Sequence, residues 1–342
     1  MSTRCGIMAG GNWIVDRVKL IDAWPPQDAL ASILGQSDGN GGSPYNILKD
    51  LSRLGAVFPR QAVGLVGDDA DGRWIQEDCR RSGIDTSALR VTRDAPTSYT
   101  DVMTVADTGR RTFFHQRGAN AHLGPQHFDF TATQARMFHL GYLLLLDTLD
   151  QPGTDGRPQA AEVLARARSA GLRTSVDCVS EASDRFRSIV LPVLPDVDVL
   201  FANDFEAEKL SGICVGEQPA PGGVAVQAAA RALLAAGVRE WVVIHFPAAV
   251  VACGADGQVL WQPSVQVPAA DIKGAAGAGD AFAAGVLFGL HEEWPMQRAL
   301  ELGVCAAAAS LHHPTCSESV STVRDCLALG RRLGFRPPAS GQ

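Results

Sequence analysis

Several features that would mark other classes of protein are missing from this sequence of 342 residues. It contains no apolar run of about 18 or more residues, so no membrane-spanning helix is predicted. Basic residues are not in excess, and the net charge of −7 argues against a nucleic-acid-binding surface as the main function. The sequence therefore predicts a protein whose partners are neither membranes nor nucleic acids.

The chain also lacks closely spaced cysteines and a nucleotide-cofactor fingerprint. Its eight cysteines form no close pair and no Cys-x-x-Cys, which is typical of reduced, mostly buried thiols. Residues 1–5 lack the apolar core of a secretory signal, so we expect a cytoplasmic protein. No Gly-x-Gly-x-x-Gly follows the first predicted strand, which disfavours a nicotinamide-dependent oxidoreductase.

What is present is an alternation of strands and helices. Apolar runs typical of strands (137–146, 172–177, 197–202 and 241–246) alternate with helix-like segments (159–170, 205–210, 224–236, 281–290 and 296–311). This order predicts an α/β fold with a doubly wound, mostly parallel sheet flanked by helices. Residues 6–18 look like one further strand, 97–105 and 112–115 like a hairpin, and 216–223 like a surface loop.

The most informative segment is Gly277-Ala278-Gly279-Asp280 at the start of a helix-like run. Small residues let backbone N–H groups approach a ligand, and a helix N-terminus favours an anion such as phosphate. A carboxylate beside such a site is suited to taking a proton from a nucleophile. The segment indicates phosphoryl transfer, although a glycine-rich loop with Asp280 as a helix cap is the simpler alternative.

Four other groups of polar or metal-ligating residues follow or precede predicted elements. Asn46 lies in the first turn of a helix that Ser43-Pro44 opens, where its amide can bind a hydroxyl, although, taken alone, a flexible turn with a helix start explains it better. Asn203 and Glu206 share a helical face and suit hydrated Mg²⁺, but they fit a capping box equally well. Polar residues near the first strand, Asn12 and Asp16, fit either a ligand site or a turn. His312, His313 and Cys316 are possible zinc ligands, although a surface loop accounts for them better.

Taken in this order, the segments resemble the ribokinase/PfkB-like family of carbohydrate kinases over roughly residues 6–320. The motifs that carry the resemblance are Gly41-Gly42-Ser43-Pro44-Tyr45-Asn46, Gly64-Leu65-Val66-Gly67-Asp68-Asp69, Arg117-Gly118-Ala119-Asn120, Asn203-Asp204-Phe205-Glu206 and Gly277-Ala278-Gly279-Asp280. One such motif would be weak evidence, but the ordered set is specific. The resemblance implies one ribokinase-like kinase domain over residues 1–342, with a small β lid from segments near 12–40 and 95–120.

The resemblance also implies an activity and a set of residues. The activity is ATP-dependent phosphorylation of a hydroxyl of a small sugar, with Asp280 as general base and the N–H groups of Gly277, Ala278 and Gly279 as the anion hole. The implied substrate contacts are Asn12, Asp16, Gly41, Gly42, Asn46 and Asn120. The implied ATP contacts are Asn203, Glu206, His245, Gly277, Gly279 and Cys305, and Mg²⁺ would be held by Asn203 and by Glu206 through water. His115 would reach the substrate from the lid.

Two departures from the family pattern and two alternatives accompany this interpretation. Gly274 and Ala275 stand where the family usually has Asp-Thr, which calls activation by K⁺ into question. Residues 245–250 lack the glycines that usually approach the nucleotide. A nucleoside acceptor, with a slot formed by Tyr45, Tyr99, Phe113 and Phe114, is one alternative. A catalytically weak sugar or nucleotide sensor is another. The lid strands also suggest a possible homodimer.

Overall fold

A large sheet forms the centre of the molecule. The computed structural model describes residues 4–216 and 223–337, so the predicted loop at 216–223 lies, apart from its two end residues, outside the described part. The nine strands of this sheet are β1 (Ile7–Gly11), β4 (Arg60–Gly67), β5 (Asp85–Thr92), β8 (Met137–Leu143), β9 (Arg173–Cys178), β10 (Val199–Asn203), β11 (Trp241–Phe246), β12 (Ala249–Gly254) and β13 (Val259–Pro263). Their order is β13-β12-β11-β10-β9-β8-β1-β4-β5, and every pairing is parallel except β11–β12 and β12–β13, which are antiparallel.

Helices cover both faces of the sheet, as a doubly wound fold requires. They are α1 (Ser43–Arg53), α2 (Ala70–Arg81), α3 (Asp147–Asp150), α4 (Gln159–Ser169), α5 (Phe186–Ile189), α6 (Asp204–Ser211), α7 (Gly223–Ala235), α8 (Ala278–His291), α9 (Met296–Ser310) and α10 (Val323–Leu333). Apolar residues of α3 to α7 pack in one core and those of α1, α2, α8, α9 and α10 in a second. No helix among residues 4–216 and 223–337 is long and apolar enough to cross a membrane.

A separate four-stranded sheet, called the small sheet below, lies against the large one. Its strands are β2 (Ile14–Ile21), β3 (Ile33–Gly41), β6 (Ser98–Val105) and β7 (Arg111–Gln116), in the order β3-β2-β6-β7. The register aligns Asp16 of β2 with Thr100 of β6, and Thr100 with His115 of β7. The predicted combination of a large, mostly parallel sheet and a small second sheet is confirmed.

The first strand was predicted too long, because the chain changes sheets within it. Residues 6–18 form β1 in the large sheet and the start of β2 in the small sheet, with Asn12 and Trp13 between them. Gly11 adopts a φ of +130°, and a Cβ there would overlap the backbone of Gly141. The break is therefore a sharp turn, and the two residues between the strands are fully buried.

Several elements have no counterpart in the sequence prediction, namely β3, β5, β12, β13, α3, α5 and α10. The segment 245–250, which lacks the glycines of the family pattern, forms a tight hairpin between β11 and β12. Its apolar strand residues alternate poorly because β12 is buried along its whole length. A buried edge region of this kind gives a continuous apolar run, which the periodicity of two does not reveal.

Candidate active site

Two cavities meet at the start of α8, at the edge of the sheet where the parallel strands end. The polar cavity has a volume of about 460 Å³ and extends under the small sheet. The apolar cavity, of about 480 Å³, lies on the other side, against α9 and the β11–β12 hairpin. Both are bounded by Asn203, His245, Ala275, Ala278 and Gly279. A group bound at the N-terminus of α8 would therefore lie between the occupants of the two cavities.

The segment 277–280 forms the first turn of α8, as its small residues predicted. Gly277 is the residue before the helix and adopts a left-handed φ of +71°. A Cβ on Gly277 would lie 2.5 Å from Cβ of Cys316, so a larger residue would displace the turn. The helix is 14 residues long and directs the unpaired N–H groups and positive dipole end of its first turn to the junction of the cavities. This arrangement suits a phosphoryl group.

Asp280 is buried beneath this turn and faces the polar cavity. Asn46 Nδ2 donates to its Oδ2 at 2.6 Å, and the Tyr142 hydroxyl lies 2.9 and 2.7 Å from its two oxygens. Burial, with a smaller effect from the negative charge of Asp177, raises the pKa of Asp280 to about 7. Burial also raises the pKa of Tyr142 well above its usual range, so the phenol remains a donor. Asp280 is thus a carboxylate poised to exchange a proton near neutral pH.

Asp16 lies across the polar cavity from Asp280, on the small sheet. Burial raises its pKa to about 7, and the Cys316 thiol donates to its Oδ2 at 3.7 Å. Gly41 does not line the cavity; instead, a Cβ at this position would overlap the Asp16 carboxylate. Gly42, with a φ of +87°, lines the cavity beside Asn46. Asp16, Gly42 and Asn46 are therefore brought together, and the missing side chain of Gly41 leaves room for the Asp16 carboxylate.

Asn12 and Asn120 are placed elsewhere than the sequence suggested. Asn12 is fully buried; its Nδ2 donates to the Leu145 carbonyl at 3.0 Å, and its Oδ1 accepts from the Tyr142 N–H. Asn120 bonds both the N–H and the carbonyl of Trp13, each at 3.2 Å. Neither residue lines the polar cavity. Their amides satisfy the backbone at the crossing between the two sheets, which sequence alone does not reveal.

Asn203 and Glu206 form the capping box and line the cavity at the same time. Asn203 Oδ1 accepts from the Glu206 N–H at 2.8 Å, and Glu206 Oε2 accepts from the Asn203 N–H at 2.9 Å. Ser180 donates to Glu206 Oε1 at 2.7 Å. Burial raises the pKa of Glu206 to about 7. The two interpretations of this pair are therefore compatible, since the box fixes a carboxylate at the cavity wall.

Asp177, at the end of β9, is a candidate that the sequence analysis missed. Its Oδ2 accepts from the Ser43 hydroxyl at 2.7 Å, and the buried His139 ring lies next to it. Its Oδ1 is buried, lies 3.5 Å from His139 Nε2, and makes no hydrogen bond among the described residues. The only signal for it was its place at the end of a predicted parallel strand. An unpartnered carboxylate oxygen in a cavity that also contains Glu206 fits a hydrated divalent cation.

The apolar cavity is lined in a way that suits a flat, apolar group such as a nucleobase. Its lining combines residues of the hairpin turn with apolar side chains of two helices and the loop after them, namely Phe282, Val304, Ala307, Ala308 and Leu311. His245 is buried where the two cavities meet, and burial lowers its pKa to about 4, which keeps the ring neutral. Cys305, in contrast, lies on α9 between lining residues but points away from the cavity, where Gly330 packs against its sulfur. Cys305 therefore does not contact an occupant of this cavity.

The remaining histidines of interest separate into two groups. His115 lines the polar cavity, with Nδ1 held by Thr100 at 3.0 Å, as expected if the small sheet covers the substrate. His312 bonds the Ala308 carbonyl, and His313 bonds the hydroxyl of Thr315 on its own loop. The described part of the chain contains no group of three or more His, Cys, Asp or Glu side chains able to hold a metal ion. The zinc interpretation of this loop therefore finds no support.

Comparison with known structures shows that the fold is ribokinase-like. A ribokinase from Giardia lamblia superposes with a TM-score of 0.76 at 18% identity, covering 94% of this chain and 98% of that one. An Arabidopsis thaliana ribokinase complexed with ribose and ATP gives a TM-score of 0.73 at 19% identity, covering 96% and 99%. At these identities the likeness shows the fold alone.

Sequence comparison then shows the family. Residues 13–323 match the family described as pfkB family carbohydrate kinase, so the chain belongs to that family. An ATP-dependent ribose-1-phosphate kinase from Halopiger xanaduensis is 29% identical over 85% of this chain and 86% of its own length. A 5-dehydro-2-deoxygluconokinase from Geobacillus thermodenitrificans is 24% identical over 83% and 81%. The predicted class, a phosphotransferase with an alcohol group as acceptor, is confirmed.

Proposed function

We propose that the protein transfers the γ-phosphoryl group of ATP to a hydroxyl of a small sugar bound in the polar cavity. The observation that carries this proposal is the meeting of the two cavities at the N-terminus of α8, with Asp280 facing only the polar one. The ATP complex of the Arabidopsis ribokinase and the sugar substrates in the relatives' names support the choice of donor and acceptor.

In this reaction Asp280 takes the proton of the attacking hydroxyl. The sugar oxygen forms its bond to the γ-phosphorus as the bond from phosphorus to the ADP oxygen breaks. The N–H groups of residues 277–279 stabilise the charge on the transferred group, and removing one such donor typically costs roughly 2.7–4 kcal/mol. Asp16 and Asn46 would orient the sugar, since both face the same space as Asp280. The small sheet would exclude water as a lid.

Mg²⁺ fits this site through two carboxylates on neighbouring strand ends. Asp177 has a buried oxygen without a partner among the described residues, and Glu206 is fixed by its capping box. These residues would hold the ion largely through water, with Asn203 beside them, because Mg²⁺ retains most of its waters in phosphoryl-transfer sites. When bound, the ion would neutralise charge on the phosphates. Nearby positive charge would also favour the ionised form of Glu206.

A nucleoside acceptor is a second candidate, and the position of one aromatic side chain supports it. Of the four aromatic residues considered for a base slot, Phe113 lines the polar cavity and is 56% exposed. Tyr45 is instead in the core, and Phe114 stacks on Trp24 at 6.1 Å, on the other face of β7. Of these four residues only Phe113 lines the cavity, and one ring suits a nucleobase less well than a slot closed on both sides.

The test is to measure ADP formation from ATP over a panel of pentoses, hexoses, their derivatives and nucleosides, with the product identified by mass spectrometry. We expect a phosphorylated sugar and no comparable turnover of nucleosides. Preferential phosphorylation of a nucleoside would replace the sugar assignment. Binding of ligands without formation of any phosphorylated product would show a sensor and refute the proposed activity.

A further inference from the structure

The polar cavity contains one arginine, Arg111, whose charge the described part of the chain does not compensate. Arg111 lines the cavity from β7, and its Nη1 is buried without a hydrogen-bond partner among the described residues. Among the described residues that line this cavity, it is the only lysine or arginine. Burial lowers the pKa of this guanidinium, which reflects desolvation of the charge. Arg111 as a whole is half-buried, but its Nη1 is shielded from water and has gained no partner, which is unfavourable for a cation; the group therefore points to a ligand of opposite charge.

The register of the small sheet explains why no acidic side chain of its own row reaches Arg111. Arg111 pairs with Thr104 of β6, and Thr104 pairs with Leu20 of β2, so this row of three side chains contains no acid. Asp16 lies four residues before Leu20 on the same strand. At about 3.3 Å per residue, the backbone positions of the two rows are about 13 Å apart.

Two other cations of the small sheet, unlike Arg111, have acidic partners within the protein. Arg17 pairs with Asp71 at 2.6 Å and also stacks on the Tyr99 ring. Lys19 pairs with Asp101 on the neighbouring strand. These contacts satisfy both charges within the protein. Arg111 lies over the Phe113 ring on its own strand, with 5.8 Å from its guanidinium carbon to the ring centroid, but it pairs with no carboxylate among the described residues. It is therefore a cation that lines the cavity, from the sheet that would cover the substrate, without an acidic partner.

We propose that Arg111 forms a subsite for an anionic substituent of the sugar, so that the substrate is a sugar monophosphate or a sugar acid rather than a neutral sugar. The inference rests on the proposed function, because it places that substituent on the sugar whose hydroxyl Asp280 deprotonates. Phosphate and carboxylate share the chemistry that recognises a guanidinium, since both accept paired N–H donors. The subsite lies on the lid side of the cavity, where the cavity's carboxylates leave Arg111 unpaired.

The first experiment measures kcat/KM of the wild-type protein, at saturating ATP and Mg²⁺, for matched sets of neutral sugars, sugar monophosphates and sugar acids. We expect an anionic member to exceed its neutral analogue by at least about tenfold, as a charge-assisted hydrogen bond provides. The arm with the higher value identifies the substituent as phosphate or carboxylate. A neutral sugar with the highest kcat/KM would overturn the proposal.

The second experiment compares Arg111→Gln, Arg111→Lys and the control Arg110→Gln. Arg110 is the exposed neighbour just before β7 and does not line the cavity. In Arg111→Gln the ratio of kcat/KM for anionic over neutral sugar should fall by about 10- to 100-fold. Arg111→Lys should retain part of the preference because it keeps the charge, and Arg110→Gln should retain all of it. An unchanged ratio in Arg111→Gln would overturn the subsite.

Binding measured without nucleotide separates this inference from the proposed function. The probes are the same anionic and neutral sugars, titrated by calorimetry into the wild-type protein and Arg111→Gln. Binding of an anionic sugar that weakens in Arg111→Gln, without phosphoryl transfer, would leave the subsite standing and refute the kinase assignment. Transfer to neutral sugars that does not depend on Arg111 would support the kinase assignment and refute the subsite. If the wild-type protein binds no anionic sugar, the subsite is refuted.

Discussion

The hydroxyl of Tyr142 should set the pH at which the proposed base becomes active. It lies 2.9 and 2.7 Å from the two oxygens of Asp280, whose pKa is raised to about 7 by burial and by Asp177. A hydrogen bond to a carboxylate favours the ionised form, so Tyr142→Phe should raise the pKa of Asp280 further. A bond of this kind contributes about 1.5–3 kcal/mol, which corresponds to about 1–2 pKa units.

The assay is the pH dependence of kcat/KM, because its acid limb reports the base in the free enzyme. The midpoint of that limb should move from about 7 to about 8–9 in Tyr142→Phe, so activity falls about 5- to 50-fold at pH 7 and recovers at higher pH. Tyr45→Phe is the matched control, since the buried Tyr45 donates to Asp78 at 2.7 Å away from the site. A limb that stays in place in Tyr142→Phe, with activity reduced equally at every pH, would refute the reasoning.

Three further changes have outcomes that follow from named contacts. Gly41→Ala should lower kcat/KM for the sugar by about 10- to 100-fold, because the added Cβ would displace the Asp16 carboxylate. Gly35→Ala is the control, since no atom lies within 4 Å of its added Cβ, and equal effects of the two substitutions would contradict this reasoning. Asp50 has two buried oxygens without partners among the described residues, and burial raises its pKa in the folded state well above the unfolded value. The folded protein then binds the extra proton, and stability is lost as pH rises from the unfolded pKa toward the folded one. Asp50→Asn should therefore be more stabilised relative to wild type at about pH 8 than at about pH 5 in urea unfolding, with the gain growing by about 1.4 kcal/mol per pH unit between the unfolded and the folded pKa, and an equal change at both pH values would contradict it. Asp177→Asn should raise the Mg²⁺ concentration needed for half-maximal activity by about tenfold in a Mg²⁺ titration at fixed ATP. An unchanged Mg²⁺ requirement would show that Asp177 has no part in holding the ion.

The parts of the fold and site that the sequence predicted are those encoded locally. The α8 turn was predicted because small residues, a helix start and a carboxylate lie within four consecutive positions, Gly277 to Asp280. The alternation of strands and helices after residue 136 was predicted for the same reason. The capping box at Asn203 was also recognisable from spacing, although only the structure shows that Glu206 lines the cavity as well.

The parts that could not be predicted depend on contacts between distant segments. Asp177 and Tyr142 stand within apolar strand segments, where nothing local distinguishes a cavity-facing side chain from a core one. Asn12 and Asn120 have the residue type of sugar ligands, but both amides are taken up by backbone groups more than 100 residues away. The unpaired state of Arg111 likewise follows from strand register. The homodimer through the small sheet and the cytoplasmic location remain predictions, and activation by K⁺ remains in question.

The most direct test of the account is single-turnover transfer of labelled γ-phosphate from ATP to the sugar in wild type and Asp280→Asn. Asparagine preserves the size of the side chain but cannot accept the proton. The account predicts a transfer rate lower by about 10²–10⁴-fold, with the separately measured affinities for sugar and ATP changed by no more than a few-fold. Transfer at the wild-type rate in Asp280→Asn would contradict the assignment of Asp280 as the general base.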